Sequence, residues 1–444
     1  MRLNLFGVKE NAPRNEIADM MKQTLRHLAL FFLFGFIWQV IFSESFAQTA
    51  QTVFVREALR SQENVYTGRF EVSAKEASKV YELYRFTYSQ SDKNRERPMS
   101  IAFLYLGKPS DAYNSLKAAE IKFQYGANGL LLEKDILNAA GKPTEIRRYD
   151  YVGRKVATES IYDGKKTLTE QITYNYDENG NLLERAFKNA KGKLADNRLG
   201  YAIRKYAYDD KNRVITEEVF TEKRSSLLKI EFAYDRDGQL RQKTVRDELG
   251  HIKELIVFDY NEAGLVSEKK TLNPFKYVKQ QTLYKYDSDK RLIEERTLDA
   301  NGLLLGDMFD VAVVQTQYRS DGVRKEEVRL DSKSRFKNKV IYNEFEQVLE
   351  RIEYTAQGLP GLIIRREYDD YGNLRGERNY KIKSASRREI LNEELVYEKA
   401  RLREHRYYDA AGRLNAKEVL NADGQAIEEI YYDANGKITR RKTR

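Results

Sequence analysis

Tyr176-Asp177-Glu178-Asn179-Gly180-Asn181-Leu182 decides the fold. An Asp at the head of such a segment accepts hydrogen bonds from backbone amides ahead of it. A Gly three residues on takes the positive φ that the exit requires. Together they predict a type I turn with a glycine bulge joining two antiparallel strands. The run before it, Ile172-Thr173-Tyr174-Asn175-Tyr176, alternates as a strand should, with Ile172, Tyr174 and Tyr176 on one face.

The phrase recurs. Asp235 with Gly238, Asp369 with Gly372, Asp409 with Gly412 and Asp433 with Gly436 repeat the spacing of Asp177 with Gly180, each behind a Tyr. Weaker copies begin at Tyr125, Tyr149, Tyr208, Tyr260, Tyr286, Tyr318 and Tyr342. Tyr208, Tyr234, Tyr260 and Tyr286 are spaced 26 residues apart, and two intervals, ending at Tyr208 and Tyr318, stretch to 32. Both long intervals carry an extra Gly-containing loop, and Gly107 to Asp111 leads to Tyr125 in the same way. The 40-residue gap before Tyr408 contains Tyr397, read as a decayed copy without its Gly. Half-way turns, such as Asn138 to Gly141, Asp299 to Gly302 and Asn421 to Gly424, split each period. The module is therefore one strand and one turn, used twice.

Repeats of this kind are built from neighbours that bury each other's faces. The expectation is an all-β protein: an elongated, twisted antiparallel meander, an open spiral or solenoid-like sheet of ~26-residue repeats. About 25 strands at 4.8 Å would extend it to roughly 120 Å. The anchor tyrosines are expected to stack in cross-strand ladders, with Lys, Arg and Glu paired on the other face. Residues 88–444 are assigned to the array and 48–87 to an N-terminal cap.

Composition narrows the function classes. The 444 residues include no Cys, three His and one Trp, which excludes disulfides and thiol chemistry and leaves little for metal or triad sites. The net charge of +10 is a small excess in a chain with 33% charged residues of both signs. Nucleic-acid binders concentrate basic residues on one face, and this chain does not, so no nucleic acid is expected.

Leu28 to Phe42 is an apolar run of fifteen behind Lys22, Arg26 and His27, followed by Ser45-Phe46-Ala47. Charge, apolar core and small-x-small site make a secretory signal peptide over 1–47, cleaved after Ala47. The run is shorter than the about 20 residues a membrane span needs, so no integral span is expected after cleavage. Met20 and Met21 stand where a start belongs, which makes 1–19 an expected extension of the gene model. The protein is thus expected outside the cytoplasm, in the periplasm or at the outer surface.

The Tyr-Asp-x-x-Gly-x-Leu phrase resembles the YD repeat of the bacterial RHS family. The likeness covers most of the chain beyond residue 88. It implies an exported β-sheet shell wound as a spiral. Large members enclose a C-terminal toxin behind a self-cleavage region. No Asp-Pro-x-Gly segment occurs here, so the resemblance implies the scaffold and not the toxin.

Asn175-x-Asp177-x-Asn179-Gly180 matches half of a calcium loop, but the twelfth position is Ala186, so the hairpin turn is preferred and no metal is expected. His251 and His405 stand alone. Glu217-Glu218, Glu294-Glu295 and Glu428-Glu429 are adjacent in strands and point to opposite faces, which cannot flank one glycosidic bond. No catalytic residue and no cofactor are expected. Arg147, Arg148, Arg365 and Arg366, beside tyrosines, are the binding candidates for an acidic envelope polysaccharide. The reading is a non-enzymatic, exported scaffold or binding surface, its partner such a polysaccharide or another protein. An acidic-glycan module and a carbohydrate-active enzyme are the alternatives.

Overall fold

The computed structural model describes residues 50–60, 66–112, 114–383 and 388–444. The expected signal peptide lies outside the described residues. Among the described residues thirty strands join one antiparallel sheet, and from Glu120–Tyr125 to Ile438–Thr443 each strand pairs with the next in sequence. Among the described residues no helix is long and apolar enough to cross a membrane. Contacts divide the chain into two units. The small one holds the described residues up to Thr52 and Thr87–Met99. In it Asp92 organises a turn, its carboxylate accepting from the amides of Glu96 and Arg97.

The large unit, Val53–Phe86 and Ser100–Arg444, is the meander. Its turns follow from one local device. The Asp177 amide donates to the Asn181 carbonyl, Gly180 N–H donates back to the Asp177 carbonyl, and Asp177 Oδ1 accepts from Asn181 N–H at 2.7 Å. Gly180 sits at φ +83°. The register slips by one residue between Asn175 and Tyr176, the expected bulge. Asp235, Asp369, Asp409 and Asp433 hold the amide four residues on in the same way, at 2.8, 2.9, 2.9 and 2.9 Å.

The weaker copies differ in sequence but not in shape. Asn212, Lys290 and Glu346 occupy the glycine's place at φ +60°, +64° and +56°. A left-handed non-glycine residue costs roughly 1–2 kcal/mol, so sheet pairing on both sides holds these turns against their own preference. The long intervals are a second Asx turn inserted in the half-way connection. Asn197 Oδ1 accepts from Leu199 N–H, and Asp307 Oδ1 from Val311 N–H.

One anchor needs correction. Register pairs Tyr151, not Tyr149, with Val156 at the bulge, so Tyr151 is the structural equivalent of Tyr176. Tyr397 does head a hairpin, a tight one whose Lys399 and Ala400 are both at positive φ. The 40-residue gap therefore holds one more strand than a normal period. Strands alternate direction, so consecutive turns lie on alternate edges of the ribbon. From Tyr125 to Tyr397 the anchor turns share one edge, here the anchor edge. Tyr408 and Tyr432 end odd-numbered strands and fall on the opposite edge.

Apolar packing runs across the strands. Ile161, Ile172, Phe187, Tyr201 and Val219 form one buried cluster, with Tyr174 and Leu228 against it. Residues 48–87 contribute the strands Ala50–Arg60 and Tyr66–Val72, the short helix Ala74–Ala77 capped by Ser73, and the strand Glu82–Ser89. Val72, Ala77, Val80 and Leu83 pack with Ala102 and Leu104, and Tyr371 rests on that cluster from nearly 300 residues away. The large unit thus curls back on itself.

Candidate interaction surface

The anchor tyrosine has a role that its spacing did not reveal. Tyr176, Tyr234, Tyr260, Tyr286 and Tyr368 each donate a hydroxyl hydrogen bond to the backbone carbonyl 20 residues upstream, at 2.9–3.0 Å. Tyr151 does the same to Leu131. In the two long units, Tyr208 and Tyr318 reach 26 residues back, to Leu182 and Leu292. Every acceptor is the Leu or Val that leaves the preceding anchor turn. Each of these eight phrases is therefore clamped to the one before, through the backbone carbonyl of the Leu or Val that ends the preceding motif.

In place of the expected tyrosine-on-tyrosine stacking, cations cover the rings. Arg213 lies over Tyr234, Arg241 over Tyr260, Arg291 over Tyr318 and Arg324 over Tyr342, at 4.5–5.3 Å from the ring centroids. The cation follows the preceding turn, so the hydroxyl tie and the cation contact join the same two hairpins. Such contacts contribute about 0.5–1 kcal/mol each at exposed sites. Tyr408, on the other edge, finds no such carbonyl and donates instead to Glu394 Oε2 at 3.0 Å.

The four arginine candidates do not converge. Arg147 donates to Glu145 and Glu159, and Arg148 to Glu133 while lying over Tyr162. Arg365 bonds Glu350 and makes a two-pronged contact with Glu389. Arg366 bonds Glu377. Arg387 lies outside the described residues. Cross-strand partners likewise hold Glu217 by Arg204, Glu218 by Lys229, Glu294 by Lys285 and Glu428 by Arg441. His405 contacts the Tyr407 hydroxyl, and His251 pairs with Asp247. Among the described residues no group of three potential ligands could hold a metal ion.

Two polar sites were not legible. The first is interior. Buried Glu159 accepts from Arg147, from Tyr174 at 3.0 Å and from Tyr149, while Lys134 sits beneath Tyr66, only 4% exposed. Burial, aided by Arg60 and Arg147, lowers the Lys134 ammonium to about 8. Burial also raises the Tyr149 and Tyr174 hydroxyls well above the phenolic range, with Glu159 adding to the effect. The second is where the sheet meets itself. Asn373 accepts from Tyr81 N–H and donates to the Lys79 carbonyl, both at 2.8 Å, and Arg56 donates to the Tyr371 carbonyl while covering Phe345. A cavity of about 340 Å³ opens there, lined by Arg56, Glu82, Tyr84, Gln347 and Tyr368 among others. Arg56 Nε has no hydrogen-bond partner, and burial raises the Glu82 carboxyl. The legible signal was Phe345 and Tyr371, aromatic at the third turn position where most copies on this edge are polar or small.

No family model matches this chain, and no curated protein matches it. Among solved structures it is similar to TcdB2-TccC3-Cdc42, at 13% identity and TM-score 0.32, over 82% of this chain and 20% of that one. The Photorhabdus luminescens Tc holotoxin pore carrying TccC3-D651A gives the same identity, score and coverage. A porin-like protein from Bacteroides uniformis shares 10% identity at TM-score 0.20, over 74% of this chain and 94% of that one. The chain spans about a fifth of the toxin chains it matches.

Proposed function

We propose that this chain is an exported, non-enzymatic β-repeat scaffold of the YD type, presenting a rigid surface at the cell envelope. The observation that carries the reading is the repeated tie. One hydroxyl, one carbonyl and one ring-covering cation recur from hairpin to hairpin and are used for cohesion. Carboxylates and guanidiniums of the repeat strands neutralise each other across strands. Charged groups spent in this way support a structural surface over a reaction centre. All four arginines on which an acidic-glycan module would depend bond carboxylates of this chain, which places the scaffold reading ahead of it.

Fractionation of expressing cells tests the reading. The chain is expected in the envelope or medium, with a mature N-terminus at Gln48. A full-length chain recovered with cytosolic markers would overturn export. Release of reducing ends from an acidic polysaccharide by the purified chain would overturn the non-enzymatic assignment.

A further inference from the structure

Between residues 189 and 322 the large apolar residues at the third position of the turns all fall on one edge of the ribbon. Further along, on the anchor edge, that position is large and apolar at Phe345 and Tyr371, and both are covered by the N-terminal strands: Phe70 meets Phe345 edge-on, and Lys79 lies over Tyr371. On the opposite edge the same position is polar at Lys191, Lys223 and Asn301 and apolar at Leu199, Leu249, Phe275 and Phe309, these four joined by Tyr277 and Met308. These six side chains are each at least 69% exposed. The anchor-edge turns in the same stretch carry Lys211, Asp237, Ala263, Asp289 and Asp321 there. Within one molecule, then, a large apolar residue at this turn position marks a docked edge, and four such positions are left undocked.

We infer that this edge, between the turns at 189–201 and 299–311, is a two-fold interface with a second copy of the chain. Two observations select that occupant. The first is area. Six side chains at this exposure leave on the order of 800 Å² of mostly apolar surface, one partner's share of a standard interface. Monomers rarely leave so large an apolar patch uncovered. The row of turns crosses eight strand spacings, roughly 40 Å. The second is charge. The loop 189–201 at one end carries Lys191, Lys193 and Arg198 against the single Asp196, and the loop 299–311 at the other carries Asp299, Asp307 and Asp310, with Lys337 donating to the Phe309 carbonyl. A two-fold axis near the central turn, Asp247 to His251, lays each basic end on the partner's acidic end and brings the aromatic tips between them. A bilayer would be favoured by a basic row throughout, and the acidic end argues against it.

Sedimentation velocity on the chain as it accumulates in expressing cells tests this at tens of micromolar. The expected result is a dimer, converted to monomer by F275S/F309S with the far-ultraviolet circular dichroism unchanged. K191E/K193E weakens the dimer by roughly tenfold or more, and adding D310K to the same chain restores it, since Lys166, Lys276 and Lys290 show that lysine is accepted at that turn position. A wild-type monomer, a dimer indifferent to F275S/F309S, or a charge reversal that is not rescued would each overturn the inference. Flotation of the wild type with lipid vesicles, abolished by F275S/F309S, would make a bilayer the occupant instead.

Discussion

Replacing Tyr234 by Phe removes one atom from the proposed clamp. The ring remains under Arg213 at 4.5 Å, and only the hydroxyl donated to the Val214 carbonyl at 2.9 Å is lost. A neutral hydrogen bond of this kind contributes a net 0.5–1.5 kcal/mol, and the site is half-buried, so the expected loss is about 1 kcal/mol. Tyr286 makes the equivalent bond to Val266 four strands away, roughly 19 Å along the ribbon. At that separation effects add, and the double variant should lose about 2 kcal/mol. Tyr277→Phe, measured at a concentration where the chain is monomeric, is the control, since that hydroxyl belongs to a turn side chain 71% exposed in the single chain and its loss should stay within about 0.5 kcal/mol. Native-state hydrogen exchange is the assay, because a repeat array opens locally and a global midpoint would average the change away. Exchange should quicken about fivefold in the two hairpins joined by the lost bond and stay unchanged elsewhere. The reasoning fails if Y234F matches Y277F, or if protection falls evenly along the whole array.

Turn chemistry gives a pair of opposite signs: Gly238→Ala, at φ +87°, should cost about 1 kcal/mol, and Lys290→Gly, at φ +64°, should gain a similar amount in the same exchange experiment. At the curl, Asn373→Ala removes bonds to Tyr81 and Lys79 from a buried site and should cost about 1–3 kcal/mol, read as faster proteolysis within 66–81. Lys134 titrates at about 8 when folded and near 10.4 when unfolded, so the unfolded chain binds more protons between those values. Stability is therefore lowest below pH 8 and rises towards pH 10 by roughly 3 kcal/mol at most, a rise that Lys134→Met should abolish in urea titrations across that range. Asp209 and Asp409 are held below the usual carboxylate range, chiefly by the amides of Arg213 and Arg413. Their turns should keep full protection above about pH 4 and lose it as pH falls further, a loss that Asp409→Asn should blunt locally.

The turn device was legible because it is local: Asp, Gly and four intervening bonds lie within five residues, and sequence spacing reports them directly. What the tyrosine does was not, because its partner carbonyl lies 20 or 26 residues away and any residue supplies a carbonyl. Tyr149 carries the sequence signal because Asp150 follows it, whereas register is decided by the bulge and by which ring faces the preceding hairpin. The edge change at Tyr408 was hidden for a related reason, since it depends on counting strands through Tyr397, whose tight turn lacks the Asp and Gly. Arg147, Arg148, Arg365 and Arg366 looked free in sequence, where cross-strand carboxylates such as Glu159 and Glu389 are distant. The curl was the least legible feature, because Asn373 and Tyr81 meet across 292 residues.

The account stands on one continuous ribbon in which every second turn returns to the same edge. Because the chain has no Cys, spin labels can be placed singly or in pairs without removing native thiols. Labels at Asp237 and Asp289 are four strands apart and at Asp237 and Asp321 six, so dipolar spectroscopy should return about 19 Å and about 29 Å, shortened slightly by curvature. Distances that scale with strand number in this way are the predicted result. Distances unrelated to strand number, or an unresolved spread for both pairs, would contradict the ribbon itself.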